Sequence, residues 1–362
     1  MEGSRPERLQ QDIRRRMPLW QQGYQMRDGS RLYRRRARFG TEDENMEYIT
    51  LKNSDLQVSR ICMGGCPMGQ YGWGDVQEKL LLDAVSEALE RGINFFDTAD
   101  TYGLGTSERT LAKALGARRS EVVIADKFGV RVENGRTFYD NSPEWIRKAL
   151  EGSLERLGTD YIDLYQIHYR DQVTPISAVV ETLEQMKEKG YIRYYGLSNI
   201  HQSDLEELAQ YKGCFVSFQD EYSLACRKNE TDIFRAQEEL AVTPMTWGSL
   251  GQGVLTGKYD ENSVFGKDDR RSREIYVNFH GEKLKKNLQI VEAMKPMAEK
   301  YKKSLAAVAI RFIMDYIPES VVLCGAKNPG QITANTEAAG WRLDEEDLKI
   351  LEEISREQQE MK

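Results

Sequence analysis

The chain of 362 residues has few cysteines and few histidines, which limits the metal and thiol chemistry that it can support. Its cysteines number five, an odd count, and no two of them form a CxxC pair. Cys62 and Cys66 have CxxxC spacing, but no second Cys/His pair lies near them, so we expect no metal site. This cysteine usage is typical of a reducing compartment, and it predicts a cytoplasmic protein.

The sequence also lacks long apolar runs. None approaches the roughly 18 residues that span a bilayer, and no apolar core follows the basic N-terminus, as a secretory signal requires. The formal charge of −7 is spread through the chain, which argues against nucleic acid as the main partner. We therefore predict no membrane segment and no nucleic-acid partner.

Residues 1–45 differ in composition from the rest of the chain. They are rich in arginine, poor in aliphatic residues, and end in the acidic stretch 42–44. They predict an N-terminal extension that is flexible or wraps the surface, and a basic arm for a partner subunit, an acidic surface or nucleic acid is the alternative. Residues 46–362 are long enough to form one large domain.

From residue 46 onward, short apolar runs alternate with helical patterns in which apolar residues recur at i, i+3, i+4 and i+7. The alternation predicts parallel strands joined by right-handed crossovers. A doubly wound sheet would alternate in the same way, but eight runs favour an α/β fold of the (β/α)8 TIM-barrel type. The runs cover residues 60–63, 94–96, 122–125, 162–167, 192–197, 216–218, 242–245 and 320–323.

The links between these elements are mostly short, but three are longer than a barrel requires: 128–141, 222–231 and 251–280. Long links after strands are usually lids or walls of a site at the carboxyl end of a barrel. The spacing of Leu343, Leu348, Leu351 and Ile354 predicts a C-terminal helix beyond the last barrel unit.

Three apolar runs end in a residue that can carry or exchange a proton: Asp97, Lys127 and His168, and Tyr102 follows the first of them. In a barrel these strand ends face one mouth. A carbonyl that accepts hydride needs a proton donor and a field that stabilises the oxyanion. We predict Tyr102 as the acid, with its pKa lowered by the lysine cation.

The remaining members have supporting roles in this prediction. Asp97 keeps Lys127 charged and oriented, and His168 hydrogen-bonds the substrate carbonyl. The other two histidines, His201 and His280, follow no apolar strand and are predicted to be surface residues. Taken singly, each group has a structural interpretation; a lone histidine at a strand end or a tyrosine in a loop is often packing.

Together these residues resemble the aldo-keto reductases. The segment 94–102 is similar to the family's aspartate-to-tyrosine motif, Lys127 ends the third strand and His168 the fourth, so every member of the catalytic tetrad has a matching position. The resemblance runs from about residue 46 to the final helix. It implies an oxidoreductase that uses NADPH in preference to NADH to reduce an aldehyde or ketone, which could be sugar-like.

The resemblance also assigns cofactor positions. Ser198, Asn199 and Gln219 match groups that hold the nicotinamide carboxamide, and Trp247 matches a ring stacked on the nicotinamide. The remaining cofactor positions match residues that contact the phosphates or the adenosine in the family, or, for Gly65, belong to a glycine pair. They are Gly65, Gly248, Ser249, Leu250, Lys258, Gly325, Ala326, Lys327, Gln331 and Asn335. Taken singly, a tryptophan such as Trp247 is more often a core-packing residue, Lys258 and Lys327 are more often solvated charges, and Gly325 is compatible with a simple turn. No GxGxxG motif follows a strand, which disfavours a Rossmann binding mode.

Two departures narrow the resemblance to one branch. Many relatives have a tyrosine where this chain has Trp247 and a proline where it has Ser249. The tryptophan resembles the branch that includes bacterial sugar or aldehyde reductases and potassium-channel beta subunits. Because His168 is present, catalysis is favoured over cofactor sensing. The alternatives are a nicotinamide-binding regulatory subunit with little turnover and a nucleotide-sugar keto or enoyl reductase. The sequence leaves the substrate open, and a homo-oligomer is compatible with it.

Overall fold

The structure, a computed structural model, describes residues 46–360, so the extension predicted for residues 1–45 lies outside the described residues. The strands are β1 (Tyr48–Thr50), β2 (Gln57–Ser59), β3 (Ile61–Gly64), β4 (Phe95–Asp97), β5 (Val123–Phe128), β6 (Val130–Glu133), β7 (Arg136–Tyr139), β8 (Ile162–Ile167), β9 (Ile192–Ser198), β10 (Ser217–Glu221), β11 (Thr243–Trp247) and β12 (Val321–Gly325). The α-helices are α1 (Glu78–Glu90), α2 (Thr106–Leu115), α3 (Pro143–Leu157), α4 (Ile176–Glu188), α5 (Gln202–Leu208), α6 (Glu230–Glu239), α7 (Gly281–Tyr301), α8 (Leu305–Tyr316), α9 (Pro329–Thr336) and α10 (Glu345–Glu360).

Eight parallel strands close into a barrel in the order β3, β4, β5, β8, β9, β10, β11 and β12, and β12 pairs with β3 to complete it. The prediction of a (β/α)8 barrel is confirmed, and each of the eight apolar runs is a strand. Some strands reach further than the apolar runs did; β5 continues through Asp126 and Lys127 to Phe128. The apolar pattern in the sequence ends before the polar residues at the carboxyl end of a strand, so it does not include these last strand residues.

The helices form where the sequence supplies both an apolar stripe and end signals. At the start of α3 the Ser142 hydroxyl accepts a hydrogen bond from the Trp145 amide at 3.3 Å, and Pro143 occupies the first turn. The helix ends at Gly158, which has a φ of 61°. Its buried face packs in the layer between strands and helices. The predicted C-terminal helix is confirmed as α10, with Leu343 just before its first residue.

Apolar side chains form two cores. The larger one lies between the strands and the surrounding helices. The smaller one fills the barrel interior with alternate strand residues such as Cys62, Phe95 and Leu164, and it includes Leu51 and Val58 from the β1–β2 segment. This antiparallel hairpin, which the sequence did not predict, therefore packs against the interior and leaves the carboxyl ends of the strands free for a site.

The predicted loop 128–141 contains an antiparallel hairpin, in which β6 pairs with β7 from Val130 opposite Tyr139 to Glu133 opposite Arg136. The sequence predicted a long link here but not its hairpin structure, which forms because Asn134 and Gly135 adopt positive φ and make a tight turn between two extended segments. Among the described residues, no helix combines the length and the apolar character needed to cross a membrane.

Candidate active site

Alternation along the strands brings Asp97, Lys127 and His168 to the same place. Phe95, Ala125 and Leu164 point into the barrel, so residues two or four positions later along each strand direction point inward as well. The Lys127 ammonium donates to Asp97 Oδ1 at 2.5 Å, to the Thr98 carbonyl at 2.9 Å and to Tyr102 Oη at 3.3 Å. The Tyr102 and His168 rings meet edge to face, with centroids 5.8 Å apart. The structure thus brings all four predicted residues together.

Asp97 is held from both sides. Its second oxygen, Oδ2, accepts a hydrogen bond from Gln219 Nε2 at 2.9 Å, and its side chain is 3% exposed. Lys127 is fully buried. A buried cation is stable only with a close partner, so the ion pair with Asp97 is a condition for the lysine to remain charged there. Gln219, which the resemblance placed at the cofactor, therefore also fixes the aspartate.

The electrostatics of Tyr102 differ from the sequence-based expectation. Burial raises the pKa of Tyr102 well above its usual range, and the negative charge of Asp97 raises it further. The prediction that Lys127 lowers this pKa was wrong, because the lysine charge is compensated by Asp97 at 2.5 Å. The phenol is therefore a neutral proton donor at neutral pH.

His168 is also neutral at neutral pH. Burial lowers its pKa well below the usual value, and the Lys127 cation lowers it further. Within residues 46–360 its Nδ1 atom is buried and has no hydrogen-bond partner. The ring stacks on Tyr169 with centroids 5.0 Å apart, and Tyr169 stacks on Tyr139 of β7 at 5.1 Å. Packing of aromatic rings thus fixes the imidazole plane.

The other two histidines have different surroundings. The side chain of His201 is 64% exposed and lies 3.7 Å from Asp232, which agrees with the prediction of a surface residue. His280 is half-buried, and its Nε2 lies 2.9 Å from the carbonyl oxygen of Arg271. His280 is therefore only partly exposed, because its ring contacts the backbone of the segment that precedes it.

A cavity of about 660 Å³ opens next to the tetrad and runs along the carboxyl ends of the strands. Asp97, Tyr102 and His168 line one end of it. Most of the predicted cofactor residues also line it: Asn199, Gln219, Trp247, Gly248, Ser249, Leu250, Lys258, Gly325, Lys327, Gln331 and Asn335. The volume and the mixed lining are typical of a site for a large organic ligand.

Three predicted cofactor residues, Gly65, Ser198 and Ala326, lie outside this lining. All are buried behind the wall, and Ser198 Oγ accepts a hydrogen bond from Asn199 Nδ2. Gly65 donates its amide to the Asp97 carbonyl at 2.6 Å. A Cβ at this position would lie 2.5 Å from that oxygen, so the glycine is required by close packing against Asp97.

Asn199 and Trp247 form a small network at the centre of the cavity. Trp247 Nε1 donates to Asn199 Oδ1 at 3.1 Å, and Asn199 Nδ2 donates to the His168 carbonyl at 3.0 Å. The asparagine has a φ of 51°, a conformation that this residue type tolerates better than most. The network sets the indole plane, with part of the ring left exposed to the cavity.

One end of the cavity lining is positively charged. Lys258, Arg271 and Lys327 line it, and Lys327 Nζ donates to the Trp73 carbonyl at 2.9 Å. Burial lowers the pKa of Lys327, and the Arg271 cation lowers it further. Arg271 is paired with Asp269 at 2.5 Å. A bound anion at this end would offset the mutual repulsion of these cations.

A second cavity of about 290 Å³ is also lined by Tyr102 and His168. Its wall includes Val130, Thr137 and Tyr139 of the β6–β7 hairpin. Among the polar and aromatic residues of the hairpin, Tyr139 lines the cavity, whereas Arg131, Arg136 and Phe138 do not. Arg131 instead pairs with Asp140 at 2.6 Å and stacks on Trp145.

All three long links contribute walls, as predicted. The hairpin lines the smaller cavity, Lys228 of 222–231 the larger, and many residues of 251–280 the larger as well. Sequence reasoning missed Trp73, Tyr169, Arg270, Arg271 and Asn278. One usable signal for these residues was present in the sequence, namely that Arg270 and Arg271 are adjacent arginines in a link already predicted to form a wall.

Comparisons with known proteins agree with this geometry. A model described as the Aldo/keto reductase family matches residues 60–356. The chain is 33% identical to aldo-keto reductase YhdN of Bacillus subtilis, over 85% of this chain and 93% of that protein. It is 30% identical to the NADH-specific methylglyoxal reductase of Escherichia coli, over 86% and 98% respectively.

Solved structures have the same fold. The glycerol dehydrogenase of Gluconobacter oxydans superposes with a TM-score of 0.77 at 31% identity, covering 86% of this chain and 95% of that one. An aldo-keto reductase of Bacillus halodurans gives a TM-score of 0.70 at 28% identity, covering 86% and 96%.

Proposed function

The chain belongs to the aldo/keto reductase family, and from this we propose that it is an NADP(H)-dependent oxidoreductase that reduces an aldehyde or ketone to an alcohol. The observation that carries the proposal is the position of Tyr102. Its hydroxyl lies 3.3 Å from Lys127 Nζ, at a point where two cavities meet. A proton donor backed by a compensated cation suits protonation of a carbonyl oxygen.

The residues of the larger cavity fit a nicotinamide dinucleotide. Asn335 Nδ2 is buried and lacks a hydrogen-bond partner within residues 46–360, although the residue lines the cavity. Trp247 offers an indole face near the tetrad, and cations line the other end. When bound, the dinucleotide supplies the hydride. Trp247 and Asn199 would hold the nicotinamide end, and Lys258, Arg271 and Lys327 the phosphates.

The protein groups then have separate tasks. His168, held neutral by burial, hydrogen-bonds the carbonyl oxygen and orients it. Tyr102 donates its proton to that oxygen as negative charge develops there. The Lys127 ammonium, already within 3.3 Å, stabilises the phenolate that remains, and Asp97 keeps the lysine in place.

The preference for NADPH over NADH is part of the proposal. Lys327 is half-buried, and Arg271 and Lys258 are cations close enough to lower its pKa. An extra phosphate at this end would gain charge-assisted hydrogen bonds. The relative that is named NADH-specific shows that the family includes the other preference. We expect NADPH to bind at least tenfold more tightly than NADH when both are titrated against Trp247 fluorescence.

The test of the whole proposal is Tyr102→Phe. We expect turnover of a panel of aldehydes and ketones to fall by at least a factor of 100, because the variant has no proton to donate, while NADPH affinity changes little. Tyr191→Phe, which alters an exposed tyrosine outside both cavities, is the matched control. Full activity in the Tyr102→Phe variant would refute the role of Tyr102. Tight NADPH binding by the wild type without turnover of any carbonyl would favour the nicotinamide-binding regulatory function instead.

A further inference from the structure

We propose that Arg270 makes this protein selective for carbonyl substrates that carry an oxyanion, a carboxylate or a phosphate. The inference rests on the proposed function, because it assigns the substrate's charged group to the smaller cavity. Tyr102 and His168 line that cavity together with Arg270. A carbonyl held at Tyr102 can therefore extend its substituent toward the arginine.

The lining of the smaller cavity contains one residue with a full charge. Tyrosines, threonines and small or apolar residues make up the rest, and His168 is neutral because burial lowers its pKa. Arg270 is the charged residue of this lining, and Tyr71, Thr101 and Thr137 are among its other residues. No carboxylate is among them, so the field inside the cavity is that of a cation.

Arg270 has no compensating carboxylate within 4.0 Å among residues 46–360. Its Nη2 donates to the Tyr71 carbonyl at 2.9 Å, and the guanidinium lies 5.2 Å from the Trp73 ring centroid. Arg271, the next residue, is paired with Asp269. Of these two neighbours, therefore, only Arg270 has a guanidinium without a carboxylate partner in the described part of the chain. A guanidinium is weakly hydrated and matches carboxylate or phosphate geometry with two parallel hydrogen bonds.

The backbone holds Arg270 in place. Its amide donates to the Gly72 carbonyl at 3.0 Å. Gly72 has a φ of 75°, and a Cβ at this position would lie 2.6 Å from Arg270 Nε. The glycine thus lets the guanidinium lie against the chain, and the aromatic faces of Tyr71 and Trp73 restrict its movement. An arginine fixed in this way loses little conformational entropy on binding an anion.

Arg270 also lines the larger cavity, so the competing role is a contact to the dinucleotide. The two roles predict different effects of the substrate's charge on kcat/KM when Arg270 is replaced. A contact to the dinucleotide affects acidic and neutral carbonyls alike. A contact to the substrate changes the ratio of their kcat/KM values.

The experiment compares succinic semialdehyde with its methyl ester, and glyceraldehyde 3-phosphate with glyceraldehyde, in wild type, Arg270→Gln, Arg270→Lys and Arg136→Gln. Arg136 is an exposed arginine of the neighbouring hairpin and lines neither cavity. We expect the wild type to prefer at least one anionic member at least tenfold in kcat/KM. R270Q should reduce that ratio to about one, mainly through KM, R270K should give an intermediate ratio, and R136Q should keep it. The pair that responds identifies carboxylate or phosphate as the recognised group.

A wild-type ratio near one for both pairs overturns the proposal. So does an R270Q protein that keeps the ratio but binds NADPH more weakly. If no carbonyl is turned over at all, the proposed function fails, and calorimetric titration with succinate and inorganic phosphate still tests the anion site. Binding of either to the wild type but not to R270Q supports it, and binding of neither overturns it.

Discussion

The protonation states of Tyr102 and His168 determine how the site responds to pH. The pKa of Tyr102 is raised above 10 and that of His168 is lowered below 6.5, both chiefly by burial. A phenol with a raised pKa remains protonated as pH rises through neutrality. An imidazole with a lowered pKa remains neutral as pH falls toward its usual titration range. Both groups therefore keep their working forms over a wide interval.

We accordingly expect kcat/KM for carbonyl reduction to be flat between about pH 6.5 and 9, since neither residue titrates there. The measurement is a pH profile with a neutral substrate and saturating cofactor. A loss of rate with a midpoint near pH 7 to 8 would contradict the protonation states. Asp97→Asn should lower the plateau, because Lys127 then lacks its partner.

Gly65 provides a second prediction at this scale. Gly65→Ala would place a Cβ 2.5 Å from the Asp97 carbonyl and 2.8 Å from Ser107 Oγ, and two buried segments would have to separate. We expect a loss of about 1–3 kcal/mol in the free energy of unfolding, together with reduced turnover. Urea denaturation measures the first quantity.

The neighbouring Gly64→Ala variant is the matched control for Gly65→Ala. Its Cβ would meet Gly325 N at 3.5 Å, an ordinary contact. Equal destabilisation of the two variants would show that close packing at Asp97 is not what requires a glycine at position 65.

Several properties of single residues could not be predicted from the sequence. The catalytic tetrad could be predicted, because the strand ends of a barrel meet at one mouth whatever the details of the loops. The direction of the Tyr102 pKa shift could not be predicted, because it depends chiefly on how deeply the phenol is buried and then on the nearby charge of Asp97. The second role of Gln219, as a donor to Asp97, depends on a distance across the barrel that no local pattern encodes.

Among the elements, the β6–β7 hairpin has the clearest functional consequence. It supplies part of the smaller cavity, and Tyr139 stacks on Tyr169, which stacks on His168. Asp140 N donates to the Gly129 carbonyl at 3.0 Å, so the two ends of the hairpin are adjacent. The whole hairpin can therefore be excised with a short link.

Replacement of residues 130–139 by two glycines should raise KM for carbonyl substrates at least fivefold and lower kcat, since the substrate wall and the support of His168 are both lost. NADPH affinity should stay within about twofold, because the hairpin does not line the larger cavity. Steady-state kinetics and cofactor titration measure these effects. Phe138→Ala, which alters an exposed hairpin residue outside both cavities, is the control. Unchanged KM in the excised protein would exclude the hairpin from substrate binding.

The sequence predicted strands and helices well where the periodicity of apolar residues is strong, and poorly where the segment is short. The eight barrel strands have apolar runs flanked by amphipathic helices. The β1–β2 hairpin has strands of three residues each, and β6 and β7 have four each, most of them exposed, so neither hairpin shows an alternating pattern that can be read. These hairpins form because the barrel gives them a surface to pack on.

For the whole molecule, the family match covers residues 60–356 and the barrel strands lie between residues 61 and 325. A protein that begins at Met46 should therefore keep its melting temperature within about 2 °C and its kcat/KM within about twofold, since no barrel strand or tetrad member is removed. Thermal denaturation and kinetics of the two proteins test this. A protein that begins at Gly64 lacks β1, β2 and most of β3, and it should fail to fold. A large loss of activity in the protein that begins at Met46 would show that residues 1–45 contribute to the site or to assembly.

Pairing of β12 with β3 also has a consequence for biosynthesis. Until the ribosome has released residues 321–325, the emerging sheet has two unpaired borders, each a row of free amides and carbonyls that can pair with another nascent chain. The barrel can therefore close only late in translation. Messenger RNAs truncated before codon 321 should yield aggregation-prone products that depend on chaperones.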